Sequence, residues 1–176
     1  VDDCKSVIAA ADRTFGRLDS LVNAAGMTNR GTILNTSPDL FDQLFAVNTR
    51  APFFLMQGAI ELFKRDGVAG TIVNISTMSS MGGQPFLAAY SASKGALDTL
   101  TRNTAYAALR NRIRVNSLNI GWMASEGEDR TQRELDGQHH PDVRGLLLEH
   151  GHVPRGQERE QQEHEQTEHT DDYVHW

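Results

Sequence analysis

Three short apolar stretches, each preceded by a segment with helical spacing, constrain this chain more than any other feature. The stretches at 18–23, 70–75 and 113–118 have the length of strands, and they are too short for buried helices. Before the first, 3–15 places Val7, Ile8, Ala11 and Phe15 on one side and ends at Gly16. Before the second, 37–66 opens on Ser37-Pro38, a hydroxyl cap followed by proline at the first helical position. Its apolar residues run from Leu40 to Ile60, and Pro52 is expected to break or kink it midway. Before the third comes 87–110. Strict helix–strand alternation with short apolar strands predicts an α/β fold, a parallel sheet covered by helices on both faces. Ligands of such sheets sit beyond the carboxyl ends of the strands.

The pattern holds to Ser125 and then decays, so 1–125 reads as the folded domain and 126–176 as a largely disordered tail. Residues 1–125 carry 12 basic and 9 acidic side chains, a net of +3, whereas 126–176 carry 5 and 14, a net of −9. All seven histidines lie in the tail, where no fixed scaffold supports a metal site, so none is expected. The whole-chain charge of −6 therefore says little about partners. Cys4 is the one cysteine and forms no internal disulfide, which fits a reducing compartment. No apolar run reaches membrane-spanning length and no basic stripe is interleaved with aromatics. The expectation is a cytoplasmic protein with neither membrane nor nucleic acid as partner.

The chemistry lies at the predicted strand ends. Tyr90 and Lys94 stand four residues apart in a helical run and share a face. An ammonium beside a phenol favours the phenolate, which makes the pair a general acid/base suited to an alcohol or carbonyl. Asn23-Ala24-Ala25-Gly26 closes the first strand with small residues that let a ligand approach the backbone. Asn48 precedes Pro52 by four, so its carbonyl faces a residue without an N–H. A hydrated proline kink and a functional water site both fit that arrangement.

Taken in order, Asn23-Ala24-Ala25-Gly26, Asn48, Tyr90-x-x-x-Lys94 and Arg114-Val115-Asn116 resemble the short-chain dehydrogenase/reductase family. The resemblance implies the catalytic portion of a Rossmann-type doubly wound sheet. It implies a cofactor, NAD or NADP, and a reaction interconverting a secondary alcohol and a ketone. By resemblance Asn48 holds a water that links the lysine to solvent, Lys94 bonds the nicotinamide ribose, and Tyr90 exchanges the proton. Asn23, Ala24, Ala25, Gly26, Gly121 and Ser125 then belong to the cofactor side. Thirteen residues before Tyr90, where the family carries a serine, stands Thr77, with Ser76 beside it. Thr77 is the expected hydroxyl donor. Ile75, Ile120 and Met123 fit nicotinamide-side walls, while Gln84, Phe86 and Trp122 could face substrate. Gln84-Pro85-Phe86 and Asn119-Ile120-Gly121-Trp122-Met123 are similar to sugar- or polyol-type members.

The chain departs from the family in two further places. The glycine-rich phosphate loop and the first three strands are not in this sequence, so the sheet is expected to be partial. The tail resembles none of the family's closing elements and suits a truncated or frame-shifted reading of a longer gene. An intact frame through residue 176 at the locus would count against that reading. A catalytically inactive fragment held by a partner is thus the alternative to an enzyme. The family pairs subunits through the helices bearing Asn48 and Tyr90, which implies a homo-oligomer, and Ala88, Ala89, Ala92 and Ala96 would permit close packing.

Overall fold

The protein is represented by a computed structural model that describes residues 1–121. The readings placed on Trp122, Met123, Ser125 and 126–176 lie outside the described residues. The elements run α1 (Asp2–Phe15), β1 (Ser20–Asn23), α2 (Pro38–Phe45), a π-helical turn (Ala46–Arg50) and α3 (Ala51–Arg65). They continue with β2 (Thr71–Thr77), a 3-10 turn (Met78–Ser80), α4 (Ala88–Ala108), a second 3-10 turn (Leu109–Asn111) and β3 (Arg114–Ile120).

The helix ends follow from local chemistry. Asp2 and Asp3 occupy the first turn of α1 and Arg13 its last, complementing the helix dipole. Gly16 then takes the left-handed conformation, φ 69°, and its N–H caps Asp12 O. Ser37 Oγ accepts the Leu40 N–H at 3.2 Å, so α2 starts on the predicted cap. The break near Pro52 takes a different form from the expected kink. The chain widens to a π turn one step earlier, where the Ala51 N–H reaches back five residues to Ala46 O. Pro52 then falls in the first turn of α3, where no N–H is needed.

The three strands are parallel in the order β1-β2-β3. Asn23 is level with Asn74, and Asn74 with Ser117. Both crossovers step the same way across the sheet, so right-handed connections carry α3 and α4 to one side. Ile8, Met56, Phe63, Ile72, Ala108 and Val115 form the core there, with α1 packed on α3. On the other face Val22 and Leu118 are more than half exposed. Among the described residues the expected parallel α/β sheet is present, with its helices on one face. No helix in this part is long and apolar enough to cross a membrane.

Core tolerance is uneven and testable. A Cβ on Gly70 would collide with the Phe63 ring, which is fully buried, whereas one on Gly82 would meet nothing within 4 Å. Gly70→Ala should destabilise the fold by about 1–3 kcal/mol and Gly82→Ala should leave it nearly unchanged, read as urea midpoints.

Candidate active site

Helix α4 buries a polar stripe. Tyr90, Ser93, Lys94, Leu97, Asp98 and Thr101 are among its buried residues, spaced by threes and fours so that they lie on one face. A buried polar group is costly unless bonded, and Ser93, Lys94, Asp98 and Thr101 each make a bond that fixes α4 to another element. Thr101 Oγ1 accepts from Asn74 Nδ2 at 2.8 Å, and Asn23 Nδ2 donates to Asn74 Oδ1 at 2.7 Å. Those bonds tie β1, β2 and α4 into one row.

Lys94 is 5 % exposed, and its Nζ donates to Ile75 O at 2.8 Å. The ammonium thus reaches the backbone of β2 near its carboxyl end, with two of its three N–H donors left for other acceptors. Burial is the larger influence on it and holds its pKa below the ordinary lysine value, while Asp98 acts in the opposite direction. Gly26 faces the same nitrogen: a Cβ there would lie 3.5 Å from Lys94 Nζ and 3.6 Å from Asn48 Oδ1. Any larger residue would stand in front of the ammonium, so glycine keeps the lane to it open.

Asn48 is fully buried on the π turn. Its Oδ1 accepts the Met27 N–H and its Nδ2 donates to Met27 O, both at 2.9 Å. The same Nδ2 lies 3.1 Å from Ser93 Oγ, which donates to Tyr90 O at 2.7 Å. Thr49 Oγ1 donates to Ser93 O at 2.8 Å. The π turn therefore clamps both the loop after β1 and the first turns of α4. Tyr90 itself is 9 % exposed and packs with Leu44, Leu87 and Ala89.

Strand β2 runs two residues beyond its expected end, through both Ser76 and Thr77, so their side chains leave on opposite faces. Ser76 joins Ile72 and Asn74 on the fully buried side, where its hydroxyl has no hydrogen-bond partner. Thr77 Oγ1 accepts the Ser79 N–H at 3.2 Å and lies 3.3 Å from Ser79 Oγ, which is 3.0 Å from Gln84 Oε1. Phe86 lies half-buried under the Arg30 guanidinium, 5.0 Å from its ring centre.

The residues expected on the cofactor side are placed as follows. The side chain of Asn23 is buried and committed to Asn74, so it ties the sheet while the exposed Ala24, Ala25 and Gly26 carry the open edge. Gly121 is exposed past β3, and a Cβ on it would meet nothing within 4 Å. The sequence reading missed Ser93, Thr49 and Asp98. Their signal was spacing: Ser93 and Asp98 fall three and eight residues after Tyr90, on the same helical face.

Compared with known proteins, the chain matches the family described as short chain dehydrogenase over residues 1–136. It is 42% identical over 125 residues to an uncharacterized oxidoreductase of Thermotoga maritima, covering 71% of this chain and 49% of that protein. It is 41% identical over 104 residues to carbonyl reductase [NADPH] 2 of Sus scrofa, covering 59% and 43%. Among solved structures, an NAD+-bound xylitol dehydrogenase superimposes with a TM-score of 0.70 at 28% identity, over 76% of this chain and 51% of that one. The chain thus spans about half the length of the curated relatives it matches.

The lowered Lys94 value has a signed consequence. Above it and up to the unfolded value of ~10.4, the unfolded chain binds more protons, so the lysine's contribution to stability rises with pH. Wild-type stability measured relative to Lys94→Met should therefore climb as pH approaches about 10. A difference that stays flat in urea unfolding would contradict the burial of this charge.

Proposed function

The chain belongs to the short-chain dehydrogenase family, and on that premise we propose that it carries the proton-transfer site of an NAD(P)-dependent oxidoreductase. Its reaction interconverts a secondary alcohol and a ketone. The observation that carries this reading is the Lys94 ammonium, anchored on Ile75 O with donors to spare behind the opening that Gly26 leaves. That arrangement fits a ribose diol, because two adjacent hydroxyls can accept the remaining N–H groups.

When bound, the nicotinamide cofactor supplies or accepts the hydride. The residues of this chain do the rest. Lys94 holds the ribose side, and Ala24, Ala25 and Gly26 leave room along the backbone. Tyr90 gives a proton to the carbonyl oxygen in reduction and takes it back from the alcohol in oxidation. Thr77 turns its hydroxyl hydrogen from the long contact with Ser79 to the substrate oxygen, its Oγ1 being held by the Ser79 N–H. Asn48 fixes the loop carrying Met27 and, through Ser93, the backbone of Tyr90. Pro52 supplies no N–H to the Asn48 carbonyl, which leaves that oxygen suited to a water. Ser79 and Gln84 beside Thr77 favour a hydroxylated substrate of the sugar or polyol kind.

The relatives name both cofactors, so the test measures both. NADH and NADPH fluorescence titrations of the 176-residue chain should saturate with at least one of them. A panel of secondary alcohols, polyols and ketones then follows with Tyr90→Phe as control. That change should lower turnover by at least about 100-fold and leave cofactor affinity near wild type. Turnover untouched by it would defeat the mechanism, and absence of saturable binding would favour the inactive, partner-held fragment. The same reading extends to assembly: an open groove lined by Phe45, Thr49, Arg50, Phe53 and Leu100 lies along the helices that bear Asn48 and Tyr90. A second copy would cover it. Light scattering of the sample should give the dimer mass or a multiple, and a strict monomer would refute the pairing.

A further inference from the structure

Asp98 follows Lys94 by one turn of α4 and is 6 % exposed. Its Oδ2 accepts from Ser80 Oγ and its Oδ1 from Ser117 Oγ, each at 2.5 Å. Oxygen–oxygen separations that short fit hydroxyl donors on a carboxylate. Ser80 lies on the turn after β2 and is also 2.7 Å from Thr77 O. Ser117 belongs to β3 and is also 2.8 Å from the Asn119 side chain. A single carboxylate of α4 therefore grips the two strands that lead to Thr77 and to Ile120-Gly121.

Two hydroxyls do not compensate a buried negative charge; a cation must do so. The elements packed on Asp98 offer few. Strand β2 and the Met78–Ser80 turn contain no titratable residue. Strand β3 contains Arg114, whose Nη2 donates to Thr71 at the opposite end of the sheet. The π turn contributes the uncharged Asn48 and Thr49, with Arg50 exposed. On α4 itself the neighbours are Tyr90 and Lys94 toward its start and Arg102 one turn later, and Arg102 is exposed with its Nη2 donating to Thr99 Oγ1 at 3.1 Å. Side chains one turn apart have Cβ atoms about 5–6 Å from each other, so Lys94 is the buried cation within reach among the described residues. The dependence is mutual, since burial works against the Lys94 charge and Asp98 supports it.

We propose that Asp98 is a positioning residue of this site, the charge partner that keeps Lys94 an ammonium while Ser80 and Ser117 lock the ends of β2 and β3 to it. Asp98 acts on the reaction through Lys94. That consequence rests on the oxidoreductase reading, but the pairing of the two charges is tested without turnover.

The measurement is the 13Cε resonance of Lys94 in the full chain, assigned by its loss in Lys94→Arg and followed as pH is raised. In Asp98→Asn the midpoint should fall by about one pH unit, the size expected when a nearby opposite charge is removed. In Ser117→Ala, which removes a hydrogen bond and keeps the carboxylate, it should stay close to wild type. A midpoint in Asp98→Asn that is unchanged or raised, with a native circular dichroism spectrum, overturns the proposal. Should Asp98→Asn fail to fold, the wild-type chain decides: the Asp98 13Cγ resonance must move as Lys94 titrates, and a flat signal overturns the proposal equally. If the chain turns over substrate, Asp98→Asn should bring the alkaline fall in kcat to lower pH. A uniform loss at every pH would mark a merely structural residue and count against the proposal.

Discussion

The site depends on an ammonium closed off from water at the carboxyl end of a strand. Lys94 cannot sit beneath α4 without an acceptor, and the Ile75 carbonyl provides one at 2.8 Å. That bond sets how close the helix lies to β2 and where Tyr90, one turn earlier, stands relative to the strand ends. The requirement extends outward, because a cation kept at 5 % exposure needs compensating charge and open space. Asp98 supplies the first and Gly26 leaves the second.

The inward face of α4 is accordingly unlike that of an ordinary core helix. Leu97 is apolar and fully buried, but Ser93, Lys94, Asp98 and Thr101 are buried beside it. Each of them bonds a neighbouring element, which converts a desolvation cost into positional information. A leucine at Thr101 or Asn74 would pack against many neighbours, whereas the Asn23–Asn74–Thr101 row accepts one register of three elements. Apolar packing of Phe63, Met56 and Ile72 beside this row supplies the hydrophobic stabilisation that offsets its polar groups.

The π turn serves the same purpose from the opposite side. Ala46–Arg50 interrupts what would otherwise be a continuous helix and places Asn48 where its amide meets both backbone atoms of Met27. Such bulges recur where a helix must aim a side chain off its regular spiral. Pro52, the second residue after the turn, makes the interruption inexpensive, since it had no N–H to lose. The loop after β1 is held by this amide at one end. At the other, Gly31 exchanges backbone bonds with Phe86 and Ala88.

Much of this was legible in local spacing. Short apolar runs identify the strands, Ser37-Pro38 and Gly16 mark helix ends, and four residues between Tyr90 and Lys94 put them on one helical face whatever surrounds them. Those features depend on neighbours a few positions away, so the sequence by itself determined them. The tertiary structure decided everything that joins distant segments. Strand β2 extends through Thr77 because Ile120 pairs with it 43 residues later, and that extension separates Ser76 from Thr77. Asn23 became a tie within the sheet because Asn74 lies level with it. The helices gathered on one face because two crossovers turn the same way. Asp98 looks like one more helix-surface acid until β2 and β3 close over it, since burial, unlike periodicity, is a property of the whole packed chain.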